Sequence, residues 1–267
     1  MLNAQEIKRV AREEYGADLV GIASIDRFAN LPAEASPVSI QPDARAVIVL
    51  GFSIPRGGLR GVEAGTAWST FNLSLPTGTI VTECTYLVCR HLESEGWEAT
   101  PLYPQSADLR GQGVRVHPDK PEPNVILDLV YAAHAAGLGE IGRGKFFLTP
   151  EFGVRQILTA ILTDAPLEAD APFRGSLCDD CGACAEACPA RALDRSRLNE
   201  AALCEGTARW YPLHLESCRV CKTCVLPMPY STGSEPLRVA AACGRACVAH
   251  LEDSGKLTRK FASRFRE

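Results

Sequence analysis

No run of 18 consecutive apolar residues occurs in the 267 residues, so the sequence offers no helix able to cross a membrane. The opening Met1-Leu-Asn-Ala-Gln-Glu-Ile-Lys-Arg9 carries charges where an export signal needs an apolar stretch, and we therefore expect a soluble cytoplasmic chain without a membrane partner. An excess of either charge is also lacking. The 28 Lys and Arg against 32 Asp and Glu leave a net charge of −4, which gives no general attraction for polyphosphate and argues against a nucleic-acid partner. Basic residues concentrate only near the end, where Lys256, Arg259, Lys260, Arg264 and Arg266 read as a solvated helix or a docking patch.

Cysteine is abundant, at twelve residues. In a chain without an export signal thiols stay reduced, so metal ligation explains them better than disulfides. Only Cys84 and Cys89 precede residue 178, and the other ten fall between 178 and 247. That distribution, with a Pro-rich linker over 164–172, divides the chain into an α/β part, 1–170, and a cysteine-rich part, 171–267, that ends in a helical tail.

Asn3 with Glu6 forms a capping-box pattern ahead of the apolar stripe Ile7, Val10, Ala11 and Tyr15, predicting a first helix. The short apolar runs over 18–23 and 46–50 predict strands covered on both faces. Residues 54–78 hold Pro55, Gly57, Gly58, Gly61, Gly65, Pro76 and Gly78, which predicts a long loop. Helical spacing resumes from Ile80 to Glu95 and places Cys84 on the buried stripe, as a core thiol; Cys89 is read as a bystander. A strand near 97–102, an Ala-rich helix over 128–136 and a long strand over 154–163 complete the α/β part.

Gly137-Leu-Gly139-Glu-Ile-Gly142 has the letters of a dinucleotide fingerprint without its context, because a helix precedes it where a strand is required. Gly137 reads as a helix C-cap. Together the three glycines let backbone pass close to a neighbouring helix or a bound cofactor, which makes them candidate cofactor-binding residues.

Cys178-x2-Cys181-x2-Cys184-x3-Cys188-Pro189 is the bacterial ferredoxin spacing, in which three thiolates serve one 4Fe–4S cluster and the fourth serves a second. A zinc site would need two well-separated pairs and has no use for the closing Cys-Pro. Cys218-x2-Cys221-x2-Cys224 supplies a second loop, but Met228-Pro229 stands where another Cys-Pro is expected, so one ligand comes from elsewhere. Two pairings are open. In the preferred one, Cys188, Cys204, Cys218 and Cys221 hold one cluster and Cys178, Cys181, Cys184 and Cys224 the other, which leaves no ligand missing. In the alternative, Cys188 joins Cys218, Cys221 and Cys224, and the other cluster completes itself from Cys204, Cys243 or Cys247. Cys243 and Cys247, four apart on one helical face, are expected to pack.

Several stretches together resemble epoxyqueuosine reductase and, more distantly, the reductive dehalogenases: 17–23, 46–50, Ala136-Gly-Leu-Gly-Glu-Ile-Gly142, Ile161-Leu-Thr-Asp164 and the Cys178–Cys188 motif. Cys204 stands where that family has a lone cysteine between its cluster motifs. The resemblance implies a nitroreductase-like α/β domain, cobalamin as a further cofactor, and a bacterial-type two-cluster ferredoxin domain passing single electrons to cobalt. It also implies a redox partner of the ferredoxin, flavodoxin or reductase class, and a small-molecule or corrinoid substrate. The family's acidic proton donor has no counterpart, since gap-free counting puts Pro123 there; the nearest acids are Asp119, Glu122 and Asp128. The helical-repeat extension of longer members is also missing, and we expect no queuosine activity. Two functions compete: a corrinoid-dependent reductase, and a non-catalytic electron-transfer or reductive-activation protein. Tyr131 is a proton-donor candidate by position, while His134 and His214 are expected to be structural.

Overall fold

The computed structural model describes residues 2–76, 79–103, 113–226 and 235–266. Helix α1 (Ala4–Arg9) opens it, with Asn3 Oδ1 accepting the Glu6 amide at 2.9 Å; the Glu6 side chain turns to Arg9 instead of closing a capping box. A wider turn over Val10–Glu14 carries the helix on to Gly16, whose φ of +86° ends it.

Strands β1 (Leu19–Ser24), β2 (Ala46–Ser53), β3 (Ala99–Leu102) and β6 (Gln156–Thr163) form an antiparallel sheet in the order β1-β2-β6-β3. Alternation within β2 explains why it is apolar throughout. Ala46, Ile48, Leu50 and Phe52 face one core with Cys84, Val88 and Leu92 of α5 (Ile80–Ser94). Val47 and Val49 face the other core, with Ala132 and Ala133 of α6 (Leu129–Ala135). The sheet is thus the middle of three layers. Burial pushes the Cys84 and Cys89 thiols up to about 12, which leaves both protonated and inert.

The predicted loop over 54–78 is corrected by two helices, α3 (Arg56–Glu63) and α4 (Ser69–Ser74), with Gly78 outside the described residues. The glycines taken for breakers are contact points. A Cβ at Gly58 would lie 2.2 Å from Ser74 Oγ and one at Gly61 2.8 Å from Thr70 Oγ1, so their small size lets α3 and α4 touch while Leu59 and Val62 stay buried. Short helix α2 (Pro37–Ile40) covers the start of β2.

Beyond α6 comes a small hairpin, β4 (Glu140–Ile141) and β5 (Phe147–Leu148), and after the sheet the chain becomes sparse in regular structure: α7 (Ala183–Glu186), the hairpin β7 (Asn199–Ala202) and β8 (Thr207–Trp210), and α8 (Leu215–Arg219). Helix α9 (Ala242–Asp253) closes the structure against α7 and α3. The expected helical tail is also corrected. Gly255, at φ +69°, ends α9, and the following residues run irregularly over the surface with Leu257 and Phe265 buried. Three of its five basic residues pair with this chain's own acids, Arg264 with Asp253, Arg266 with Glu63 and Lys256 with Asp179, and Arg259 stacks 4.7 Å from the Phe152 ring centre.

Candidate metal centre

In the loop before α7, Asp180 and Gly182 take positive φ, +61° and +78°, and turn Cys178, Cys181 and Cys184 onto one apolar cavity. The remaining thiol on that cavity is Cys247, from α9. The β4–β5 hairpin forms the opposite wall. A Cβ at Gly144 would crowd Cys184 Sγ at 3.0 Å, one at Gly142 would lie in ordinary contact with Cys178 Sγ at 3.5 Å, and the Arg143 amide donates to Cys178 Sγ at 3.3 Å. Burial pushes the Cys184 thiol up to about 12 and Cys247 well above its ordinary value, with the sulfurs of Cys178, Cys181 and Cys184 adding to the effect on Cys247. Crowded thiols such as Cys181, Cys184 and Cys247, which resist ionisation singly, are stabilised together when a cationic iron core replaces their protons. At the rim, His250 (2.9 Å) and Lys256 (3.2 Å) lower the Asp179 carboxyl to about 2.

A second set lies beside the first. Burial raises the Cys218 thiol to about 11, with Cys243, Cys221 and Cys188 as its sulfur neighbours, and Cys243 is raised by burial against the pull of Arg238. The Ala192 amide donates to Cys188 Sγ at 3.2 Å, a backbone N–H to sulfur contact like that at Cys178. Cys243 and Cys247 sit one turn apart on one face of α9, and each faces a different set. Gly244 permits this: a Cβ there would fall 2.3 Å from both the Arg238 and Val239 carbonyls. Arg245 anchors the same turn, donating to Glu63 Oε2 at 2.5 Å and to the Thr223 carbonyl at 3.1 Å.

The thiols gathered in this way differ from the preferred pairing. Cys204 lies on the far side of the sheet core, with Arg27 and Glu205 around it. Cys224 takes φ +74° and has Arg245, not another cysteine, as its charged neighbour. In sequence, residues 222–242 separate Cys218-x2-Cys221 from Cys243-x3-Cys247, so a count along the chain does not join the thiols that α9 brings to the two sets. The adjoining C-G-x-x-C pattern was the available signal. Met228 lies outside the described residues.

The three candidate glycines also separate. Gly137 (φ +72°) caps α6 and abuts the Ala171 carbonyl, and Gly139 abuts the Leu148 carbonyl, so the space where a side chain would stand at each is filled by this chain's own backbone. Gly142 faces the first thiol cavity. His134 bonds the Gly139 and Glu205 carbonyls, and His214 caps α8. The Tyr131 hydroxyl donates to the Arg27 carbonyl at 3.0 Å, which engages the proton it would deliver.

The 4Fe–4S binding domain family matches residues 172–194, the first cysteine loop. An epoxyqueuosine reductase of Synechococcus is 40% identical over 30% of this chain, and a tetrachloroethene reductive dehalogenase of Desulfitobacterium hafniense is 29% identical over 73% of it. These relatives are named as reductases of two kinds, epoxyqueuosine reductases and reductive dehalogenases. The matches span only 24% and 39% of those two relatives' own length. Among solved structures, a reductive dehalogenase described for B12-dependent dehalogenation shares the fold at a TM-score of 0.57, with 20% identity, covering 91% of this chain and 31% of its own. An epoxyqueuosine reductase with a tRNA-Tyr stem loop shares it at 0.52, with 15% identity, covering 97% and 67%. The mixed α/β architecture with an iron–sulfur region towards the C-terminus, and the resemblance to these two groups, are borne out. The expectation against nucleic acid is corrected, because a protein of this fold is found with tRNA and a net charge of −4 summed over a whole surface does not describe any one face of it. Among the described residues no helix is long and apolar enough to cross a membrane.

Proposed function

We propose that this chain is an iron–sulfur reductase unit that passes single electrons from two 4Fe–4S clusters to a corrinoid. Cys178, Cys181, Cys184 and Cys247 hold the first cluster, and Cys188, Cys218, Cys221 and Cys243 the second. One observation carries this: α9 delivers Cys247 to a cavity already lined by three thiols, and Cys243 to the neighbouring set. Apolar walls, glycine-sized clearances and amide donors to sulfur all suit a thiolate-ligated cluster. Cys181 is exposed and gives an external one-electron donor of the ferredoxin, flavodoxin or reductase class a point of entry.

The corrinoid belongs to the reading because a relative of this fold is described for B12-dependent dehalogenation. We assign it to the nitroreductase-like part, 1–170, with electrons supplied by 171–267. A cleft lined by Val130, Lys145, Phe147, Gln156, Glu235 and Arg238 lies between the end of β6 and the second thiol set; its apolar walls with one Lys–Glu pair suit the edge of an amide-bearing macrocycle. When bound, a corrinoid supplies a cobalt centre for reductive bond cleavage. The chain's own contribution is a proton. Asp128 reaches solvent yet is crowded by protein, and desolvation raises its carboxyl against the Tyr131 and Val130 amides and the Lys145 charge that pull it down. A carboxyl raised in this way holds its proton more firmly, which is the direction a general acid needs.

Anaerobic reconstitution with iron, sulfide and hydroxocobalamin, followed by gel filtration and a visible spectrum, tests the reading. We expect about eight irons per chain and a corrin band beyond the broad cluster absorption that co-elutes with the protein. Clusters without a retained corrin would reduce the chain to an electron relay.

A further inference from the structure

Arg238 is a buried cation with an unused donor. It is 4% exposed, and its guanidinium stacks 4.5 Å from the Phe146 ring centre. Nη2 is occupied, donating to the Gly144 carbonyl at 2.9 Å and to Glu235 at 3.3 Å, while Nη1 is buried without a hydrogen-bond partner among the described residues. A buried guanidinium N–H left unpaired is costly, and structures retain one where a partner is absent or arrives later. The side chain's neighbours include the sulfurs of Cys243 and Cys218, with Cys243 within side-chain reach of the guanidinium although Nη1 makes no hydrogen bond of good geometry to it. The first thiol cavity also has a guanidinium in its lining, that of Arg143, but it is engaged by Asp180 and by the Arg209 carbonyl, each at 3.1 Å; the other charges there are Glu140, which accepts the Cys178 amide at 2.6 Å, and Asp179 at the rim, offset by His250 and Lys256.

We propose that Arg238 donates from Nη1 to the Cys243 thiolate and thereby makes the second cluster the higher-potential one, the resting place of the electron before it leaves. This rests on the assignment of Cys243 as a ligand. Reduction adds one electron, and one negative charge, to a thiolate-bound cluster without a proton. A fixed cation in a site of low dielectric stabilises the reduced form more than the oxidised form. An electron from an external one-electron donor therefore moves from the first cluster to the second. Because Arg238 also lines the cleft beside Lys145, the cluster it tunes is the one nearer that cleft.

Potentiometric titration with dithionite, followed by EPR, tests this on the reconstituted full chain. Arg238→Gln keeps a donor and removes the charge; it should lower the electron affinity of one cluster at least tenfold, a negative shift of 59 mV for one electron, and leave the other unchanged. The shifted signal should be the one that Cys243→Ser removes and Cys181→Ser spares. Both potentials unchanged with full iron content, or a shift in the cluster that Cys181→Ser removes, would overturn the proposal. Retention of every iron by Cys243→Ser would instead sink the ligand assignment beneath it. Should Arg238→Gln fail to fold, Glu235→Gln decides: removal of the counter-charge should raise the same cluster's potential, and an unmoved value refutes the role of Arg238.

Discussion

The two halves of this molecule are held together differently. In the sheet, alternate residues of β2 and β6 enter two apolar cores, and Ile48, Leu50, Ile161 and Leu162 are fully buried. In the cysteine-rich half, elements are four or five residues long until α9, and the buried groups include three thiols, Cys184, Cys218 and Cys243, and the cations Arg238 and Arg245. Leu177, Tyr211, Val239, Val248 and Leu251 of the second half join the same apolar core as Ile48 and Leu50, so what sets the second half apart is its gathered thiols and short elements.

Removing the iron should therefore have the largest and most uneven effect. Chelation under anaerobic conditions should abolish amide-exchange protection across 178–221 and the start of α9, because cluster binding is folding energy for such a segment, while β2 and β6 stay protected. Uniform loss across both halves would show that the sheet depends on the clusters too.

Single cysteines sharpen the same contrast. Cys247→Ser and Cys243→Ser should each lose or degrade one cluster, seen as a reduced iron count and a changed low-temperature EPR spectrum, whereas Cys204→Ala and Cys224→Ala should keep all the iron. Loss on Cys204→Ala would restore the pairing suggested by spacing. Gly244→Ala belongs with the first pair, since a methyl 2.3 Å from two carbonyls must displace the α9 turn that carries Cys243. In the sheet, Ile48→Ala should cost about 2–5 kcal/mol in unfolding by denaturant without altering the iron count.

Legibility in the sequence followed the same division. Period-two and helical patterns are local, so β1, β2, β6, α5 and α6 were readable, as was the first cysteine loop, whose ligands lie within eleven residues from 178 to 188. The placement of Cys243 and Cys247 was not legible, because they reach the other thiols through tertiary packing of α9 on α7 rather than through a local spacing. Gly58 and Gly61 failed for a related reason. Glycine marks a break or a close contact with equal force, and only the presence of α4 opposite decides which.

The smallest predicted effect lies where the halves meet. Glu63, at the end of α3, accepts from Arg245 of α9 and from Arg266 of the tail, and its side chain is 22% exposed. Burial alone would raise its carboxyl, but the two guanidiniums outweigh this and hold it below the ordinary 4.5. A carboxyl depressed in the folded state contributes stability that is complete above its unfolded pKa and is lost as pH falls through the folded value. Glu63→Gln should therefore lower the midpoint of thermal unfolding at pH 7 by the equivalent of roughly 1–2 kcal/mol. The gap between variant and parent should narrow below pH 4.5. A gap that stays constant with pH would mean that Glu63 joins α3 to α9 by packing rather than by charge, and the ligand helix would then be held by its clusters and apolar face alone.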